Sequence, residues 1–266
     1  MLTNFHTHTT FSDGKNTPEE IVLAAMKQGF FSIGFSDHAY TPYDVSYCMN
    51  DEKSYIKEVR RLQEKYKKEI EIYLGVEEDS HFLVNRLDFD YIIGSCHYIK
   101  SGEKHYSIDG NAHSFSQCLA VFKNDEMAFA ENYFQHFCEY ILSRKPDIIG
   151  HFDLITKFDE KEKNRYLQNP SYWNLVERYC LHALKSGGIF EVNTGLVTRG
   201  YRSSFCPHER LLYLIYKNDG KITLSSDSHE IMTLQGCFNE ARAMAKEIGF
   251  QYIYIFQKGE WTKKFI

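Results

Sequence analysis

Leu2-Thr3-Asn4-Phe5-His6-Thr7-His8 is a short strand that runs straight into two imidazoles two residues apart. Alternate residues of a regular strand share a face, so His6 and His8 can reach one ion. Alone, a His-x-His pair is a weak sign. Its weight comes from six further segments written in the same way. Residues 31–36 end in Ser36-Asp37-His38, 71–76 in Gly75-Val76-Glu77, and 91–95 in Gly94-Ser95-Cys96-His97. Residues 148–150 end in Gly150-His151, 189–193 in Glu191-Val192-Asn193, and 222–225 in Ser226-Asp227-Ser228-His229. Each expected strand delivers an imidazole or a carboxylate at its C-terminal edge.

Between these strands the pattern is helical. Thr17-Pro18-Glu19-Glu20 reads as a helix start, with a Thr cap, Pro at the first position and Glu three residues after the cap. Helices are expected over 19–27, 52–68, 116–143 with a break near Asn124-Asp125, 172–185, 209–217 and 232–248, and a last strand over 252–256. Strands alternating with helices imply βαβ units and a parallel sheet. Seven or eight such units in 266 residues suggest a closed barrel, with an open doubly wound sheet as the alternative. In a barrel the C-terminal strand edges converge on one face, where active sites sit. No linker or repeat divides the chain, so residues 1–266 read as one domain. No glycine-rich phosphate loop follows a strand, which argues against a nucleotide cofactor.

Composition narrows the function. The net charge of −5 argues against a general nucleic-acid binder. No run of 18 apolar residues exists, so no membrane span is expected, and the first residues do not resemble a secretion signal. The seven cysteines lack close spacing and read as reduced thiols of a cytoplasmic protein.

Six of the twelve histidines (His6, His8, His38, His97, His151 and His229) lie at strand ends. With Asp13, Glu77 and Asp227 they make nine donors. A catalytic ion takes three or four protein groups, so the set implies two or three divalent transition-metal ions, with zinc, iron or manganese suited to mixed imidazole and carboxylate ligands. Clustered ions hold both ends of an in-line phosphoryl displacement, which points to phosphate-ester hydrolysis.

The set resembles the polymerase and histidinol phosphatase (PHP) family: His6-x-His8 with Asp13, Asp37-His38, Glu77, Ser95-x-His97, Gly150-His151, Glu191-x-Asn193 and Asp227-x-His229. The segments 90–95, 106–110 and 150–155 resemble the monofunctional histidinol-phosphate phosphatases within it. The resemblance implies a distorted (β/α)7 TIM-like barrel with a trinuclear metal centre at the C-terminal strand ends. It implies hydrolysis of L-histidinol phosphate by a metal-bridging hydroxide, as a step of histidine biosynthesis. Rival activities within the family are a nucleotide phosphodiesterase or exonuclease and a protein tyrosine phosphatase; a non-catalytic metal-binding module is the rival outside it. One ion would take His6, His8, Glu77 and Asp227. A second would share Glu77 and take His97 and His151. The third would take Asp13, His38 and His229, with Asp13 replacing a histidine found in other members.

Outside the donor set, Arg199 in the loop after Asn193 is the expected phosphate-binding and catalytic cation, working with Asp227 and His229. Lys157 and Arg202 are further candidates, and Asn193 reads as a loop support. Tyr106, Asp109, His113 and Phe115 form a candidate substrate wall, with Tyr106 and Phe115 taken as substrate contacts. His81, His105, His136, His182 and His208 read as ordinary structural residues, Cys96 as a neutral filler, and helix 52–68 as a solvated face. Phe129, Tyr133, Phe137 and Ile141 recur at helical spacing and read as core.

Overall fold

The computed structural model describes residues 1–266. Its elements, in chain order, are β1 (Thr3–Asn4), α1 (Pro18–Lys27), β2 (Ser32–Phe35), α2 (Glu52–Tyr66), β3 (Glu71–Asp79), β4 (Tyr91–Ser95), β5 (Tyr98–Ser101) and β6 (Lys104–Ser107). Then follow α3 (Ala112–Val121), α4 (Glu126–Arg144), β7 (Ile148–Ile149), α5 (Pro170–Leu184), β8 (Ile189–Asn193) and α6 (Gly195–Thr198). The chain ends with α7 (Glu209–Lys217), β9 (Lys221–Ser225), α8 (Phe238–Ile248), β10 (Tyr252–Gln257) and β11 (Glu260–Phe265).

Seven strands, β1, β2, β3, β4, β7, β8 and β9, lie side by side in chain order, every pair parallel. Beyond β9 the sheet meets its own beginning. Thr7 bridges Ser228 in parallel, with His8 N–H donating to Ser228 O at 2.8 Å and Ser228 N–H to His6 O at 3.2 Å. The result is a nearly closed, distorted (β/α)7 barrel, as expected. The doubly wound alternative fails because it needs a reversal of strand order. No helix is long and apolar enough to cross a membrane.

The barrel interior is filled by Tyr91, whose hydroxyl donates to Phe5 O at 2.6 Å and Phe35 O at 3.1 Å. Its ring needs bare backbone on two neighbouring strands. A Cβ on Gly75 would lie 2.2 Å from Tyr91 Cζ, and one on Gly34 2.3 Å from its hydroxyl. The antiparallel β10–β11 hairpin lies outside the barrel sheet. Its Trp261 packs edge-on against Phe5 and Tyr91, stoppering the barrel end opposite the histidines.

The helices start where short-range chemistry directs. Thr17 caps α1 and forms the expected box, with Thr17 N–H donating to Glu20 Oε2 at 2.8 Å. The expected break near Asn124 is real: Lys123 and Asn124 both adopt positive φ, and Asp125 caps the N–H groups of Met127 and Ala128. Helix α2 buries only Tyr55, Val59 and Leu62 and is otherwise the solvated face read from its charges. Phe129, Tyr133, Phe137 and Ile141 are core.

One reading is corrected and two elements are added to the expected pattern. The helix expected from 232 begins only at Phe238, because 231–233 is a separate turn and Cys237 adopts a left-handed conformation. The segment after β4 forms a β5–β6 hairpin, turning at Gly102. The final strand has a partner, β11, that the pattern did not disclose.

Candidate metal centre

His6 and His8 leave β1 on the inner side, while Thr7 between them donates from Oγ1 to Gly34 O at 2.7 Å. Both imidazoles are fully buried. Glu77, within β3, is the hub. Its Oε2 lies 3.2 Å from His6 Nε2, 3.5 Å from His8 Nε2 and 3.0 Å from His38 Nδ1. Its Oε1 lies 3.3 Å from His97 Nε2 and 3.0 Å from His151 Nε2. Asp227 Oδ1 stands 3.2 Å from His8 Nε2 and 3.6 Å from His6 Nε2. At the rim, Asp13 approaches His229 Nε2 at 3.2 Å, His8 Nδ1 at 3.7 Å and His38 Nε2 at 3.8 Å. All nine expected donors therefore converge on one face.

Three subsets have ligand atoms close enough to share an ion: His6, His8 and Glu77; His38, Glu77 and His97; and His8, Asp13, His38 and His229. His38 thus stands between two subsets, and so does His8. The donors satisfy one another only in part, as His151 Nε2 does with Glu77 Oε1 at 3.0 Å. His6 Nε2, both nitrogens of His8 and Glu77 Oε2 are buried without a hydrogen-bond partner. An unpaired buried polar atom costs about 1–3 kcal/mol, so four in one place fit a bound cation.

The electrostatics agree. Burial disfavours a charged His6, yet Glu191, Glu77 and Asp227 outweigh it and hold its pKa well above the ordinary value. His97 is likewise raised against burial, chiefly by Glu77 and Asp79. His8 is pushed down to about 3 by burial and by its neighbours His229 and His38. The carboxyls of Glu77 and Asp227 are held well below the usual range, burial being outweighed by the surrounding imidazoles and, for Asp227, first by Arg199. This cluster attracts positive charge, and a divalent ion supplies it without protonating a ligand.

Around the donors lies a fixed frame. Glu191 Oε2 accepts from His6 Nδ1 at 2.8 Å and Ser225 Oγ at 2.5 Å. Its Oε1 accepts from His151 N–H at 2.6 Å and Asn193 Nδ2 at 2.9 Å. Asp79 Oδ2 accepts from His97 N–H at 2.9 Å. Asp37 gathers Thr9 N–H at 2.8 Å and Ser12 Oγ at 2.6 Å, fixing the turn that carries Asp13. Asp227 is left-handed at φ 48°. Arg199 braces it through Nη1 to Asp227 O at 2.6 Å and Nη2 to Oδ2 at 2.9 Å.

A cavity of about 350 Å³ opens over the cluster. Asp13, His38, His97, His151, Asp227, His229 and Arg199 line it, together with Asp44, Tyr47, Tyr98, Asp109, Lys157 and Tyr201.

The sequence profile of the PHP domain matches residues 4–195, well over half of the chain. The chain belongs to the PHP domain family. A "Probable histidinol-phosphatase" of Schizosaccharomyces pombe is 29% identical over 265 residues, covering 91% of this chain and 84% of the relative. The "Histidinol-phosphatase" of Bacillus subtilis is 24% identical over 250 residues, covering 85% and 92%. The crystal structure of histidinol phosphate phosphatase from Lactococcus lactis, complexed with zinc, L-histidinol and phosphate, superposes with a TM-score of 0.70 at 20% identity, covering 98% of this chain and 99% of that one.

In this PHP chain the expected cations fare differently. Arg199 and Lys157 line the cavity. Arg202 does not; it is buried against Asp153 at 3.2 Å and Thr156 Oγ1 at 2.7 Å. Asn193 supports its loop as read, accepting from Gly195 N–H at 2.8 Å. The two aromatic substrate contacts are corrected. Phe115 is core, packed on Phe129, Phe158 and Tyr166, because it lies on the inner face of α3. Tyr106 packs partly buried against that same core. Of the expected wall, Asp109 lines the cavity, flanked by Ser107 at the end of β6 and by Gly110. Cys96 is a buried filler.

Sequence reasoning missed Asp79 and the role of Glu191. Asp79 lies two residues beyond Glu77 on the same strand, so alternation alone could have found it. Tyr47, Asp44 and Tyr201 sit in loops whose pattern carries no such signal.

Proposed function

We propose that the chain is a metal-dependent phosphomonoesterase that hydrolyses L-histidinol phosphate to L-histidinol and phosphate, a step of histidine biosynthesis. The observation that carries this reading is the convergence of nine imidazole and carboxylate donors, with unpaired buried atoms, beneath a cavity edged by Arg199. The names of the similar proteins supply the substrate.

Two or three ions, of zinc, iron or manganese, would be held here. His6, His8, Glu77 and Asp227 would hold one; Glu77, His97 and His151 a second; Asp13, His38 and His229 the third. When bound, such ions supply Lewis acidity toward phosphoryl oxygens and an acidified water. The chain's own groups do the positioning. Glu191 keeps the proton of His6 on Nδ1 and so presents Nε2 to the cluster. Asp13 adds a negative charge where an imidazole would be neutral. Arg199 has five N–H donors and spends two on Asp227. Nη1 also lies 3.3 Å from His229 Nδ1; the donors left over are available to a phosphate held beside Asp227 and His229 and would stabilise charge developing on its oxygens. Lys157 donates to Asp109 O at 2.6 Å and pairs with the Asp109 carboxylate at 3.6 Å, and its ammonium lines the cavity as a second cation for the substrate.

We take residues 1–266 as one catalytic unit. A cytoplasmic setting suits it, since all seven cysteines are free and six are buried.

The test is phosphate release by the metal-loaded protein from L-histidinol phosphate, an aryl phosphate and a dinucleotide diester. A preference for histidinol phosphate of ~10³ in kcat/KM, equal to ~4 kcal/mol of transition-state discrimination, is expected. If the diester is the best substrate, or all three are equally poor, the substrate assignment fails.

A further inference from the structure

The cavity carries two carboxylates outside the histidine cluster, and they are not alike. Asp44 is fully engaged. Its Oδ1 accepts from Ser46 N–H at 3.1 Å and Ser46 Oγ at 2.6 Å, and its Oδ2 from Tyr98 Oη at 3.0 Å. Asp109 is not. One oxygen has only Ser107 Oγ at 3.4 Å. The other stands 3.6 Å from Lys157 Nζ, while that ammonium donates to the backbone carbonyl of Asp109 at 2.6 Å. Lys157 thus clamps the main chain of this turn and pairs with the carboxylate only at 3.6 Å, so the carboxylate keeps acceptor capacity in the cavity. Burial opposes the charge of Asp109, but Lys157 and the nearby His97, His151 and His38 hold its pKa below the ordinary carboxylate value. Asp109 is therefore an ionised group, close to the cluster, with bonding capacity unused.

A phosphate ester of an amino alcohol is anionic at one end and carries an ammonium two carbons away. Its phosphate is drawn to Arg199 and the cluster. Its ammonium is repelled by both and calls for an anion with spare acceptor capacity in the same cavity. We propose that Asp109 is the anchor for the substrate's ammonium group and so determines specificity for amino-alkyl phosphates; this rests on the phosphatase reading above.

The test compares L-histidinol phosphate with its deaminated analogue, imidazolylpropyl phosphate. Wild-type protein should prefer the amine-bearing ester by roughly 10- to 100-fold in kcat/KM, the worth of one charge-assisted hydrogen bond. Asp109→Asn should reduce that preference to within about threefold, chiefly through KM for histidinol phosphate. Asp109→Ser gives the same comparison should asparagine disturb the turn. Equal kcat/KM for both esters in the wild type, or equal losses on both in the Asp109 variants, overturns the anchor while leaving the phosphatase reading intact. Turnover of neither ester by the wild type overturns both.

Discussion

Replacing Glu191 by glutamine tests the cluster through a residue that is expected to touch no ion. The carboxylate receives four hydrogen bonds: His6 Nδ1 at 2.8 Å, Ser225 Oγ at 2.5 Å, His151 N–H at 2.6 Å and Asn193 Nδ2 at 2.9 Å. Glutamine has the same shape but one acceptor oxygen. With its amide nitrogen toward His6, Nδ1 must become an acceptor and the ring proton moves to Nε2. That atom stands 3.2 Å from Glu77 and is the one needed for an ion. With the amide reversed, its N–H groups face the His151 N–H and the Asn193 amide, and donors oppose donors. The first orientation loses a charged hydrogen bond worth about 1.5–3 kcal/mol. That converts to a metal affinity ~10–100-fold weaker, the usual scale for a partner behind a ligating histidine. The second leaves buried donors unsatisfied and costs about 1–3 kcal/mol of metal-free stability. Zinc affinity by chelator competition and chemical unfolding of the metal-free protein separate the two. A variant matching wild type within twofold in affinity and within ~0.5 kcal/mol in stability would refute the claim that Glu191 sets the His6 tautomer.

Arg199→Ala should raise KM and lower kcat for phosphate esters, with kcat/KM down ~10²–10³, the cost of one transition-state donor; unchanged steady-state kinetics would remove Arg199 from phosphate binding. Metal affinity should rise with pH. His6 and His97 hold protons above their ordinary pKa; below those values an incoming ion must expel them, and above them it does not. Chelator competition at several pH values should give log K increasing with pH, and a flat profile would contradict the protonated state of the metal-free cluster. Gly75→Ala should destabilise the fold by about 1–3 kcal/mol, since its Cβ would meet the Tyr91 ring at 2.2 Å; a urea midpoint equal to that of wild type would show that the ring can yield.

What could be read in advance followed from strand alternation. His6, His8, Glu77 and Asp227 each fall on the inward alternation of a strand or of the residues just past its end, and two-residue periodicity is local, so it survives in sequence. The helix starts at Thr17 and Asp125 were local in the same sense. The failures lie where packing decides. Phe115 and Tyr106 looked like a substrate wall because aromatic residues suit walls and cores equally, and only the way α3 lies against Phe129 and Tyr166 makes Phe115 core. The extent of α8 was overread because apolar residues from 232 onward fit a helix, but Met232 is largely exposed and the left-handed Cys237 separates it from the helix. The same limit applies within the site. Asp44 and Asp109 are both aspartates in loops, and nothing in their neighbours tells them apart. The distinction comes from Tyr98 and Ser46 reaching the one carboxylate and Lys157 gripping the backbone of the other, residues 54, 2 and 48 positions away. Donor identity is thus a local property of this barrel, whereas which anion remains free for substrate is fixed only when β6 and the loop after β7 close on each other.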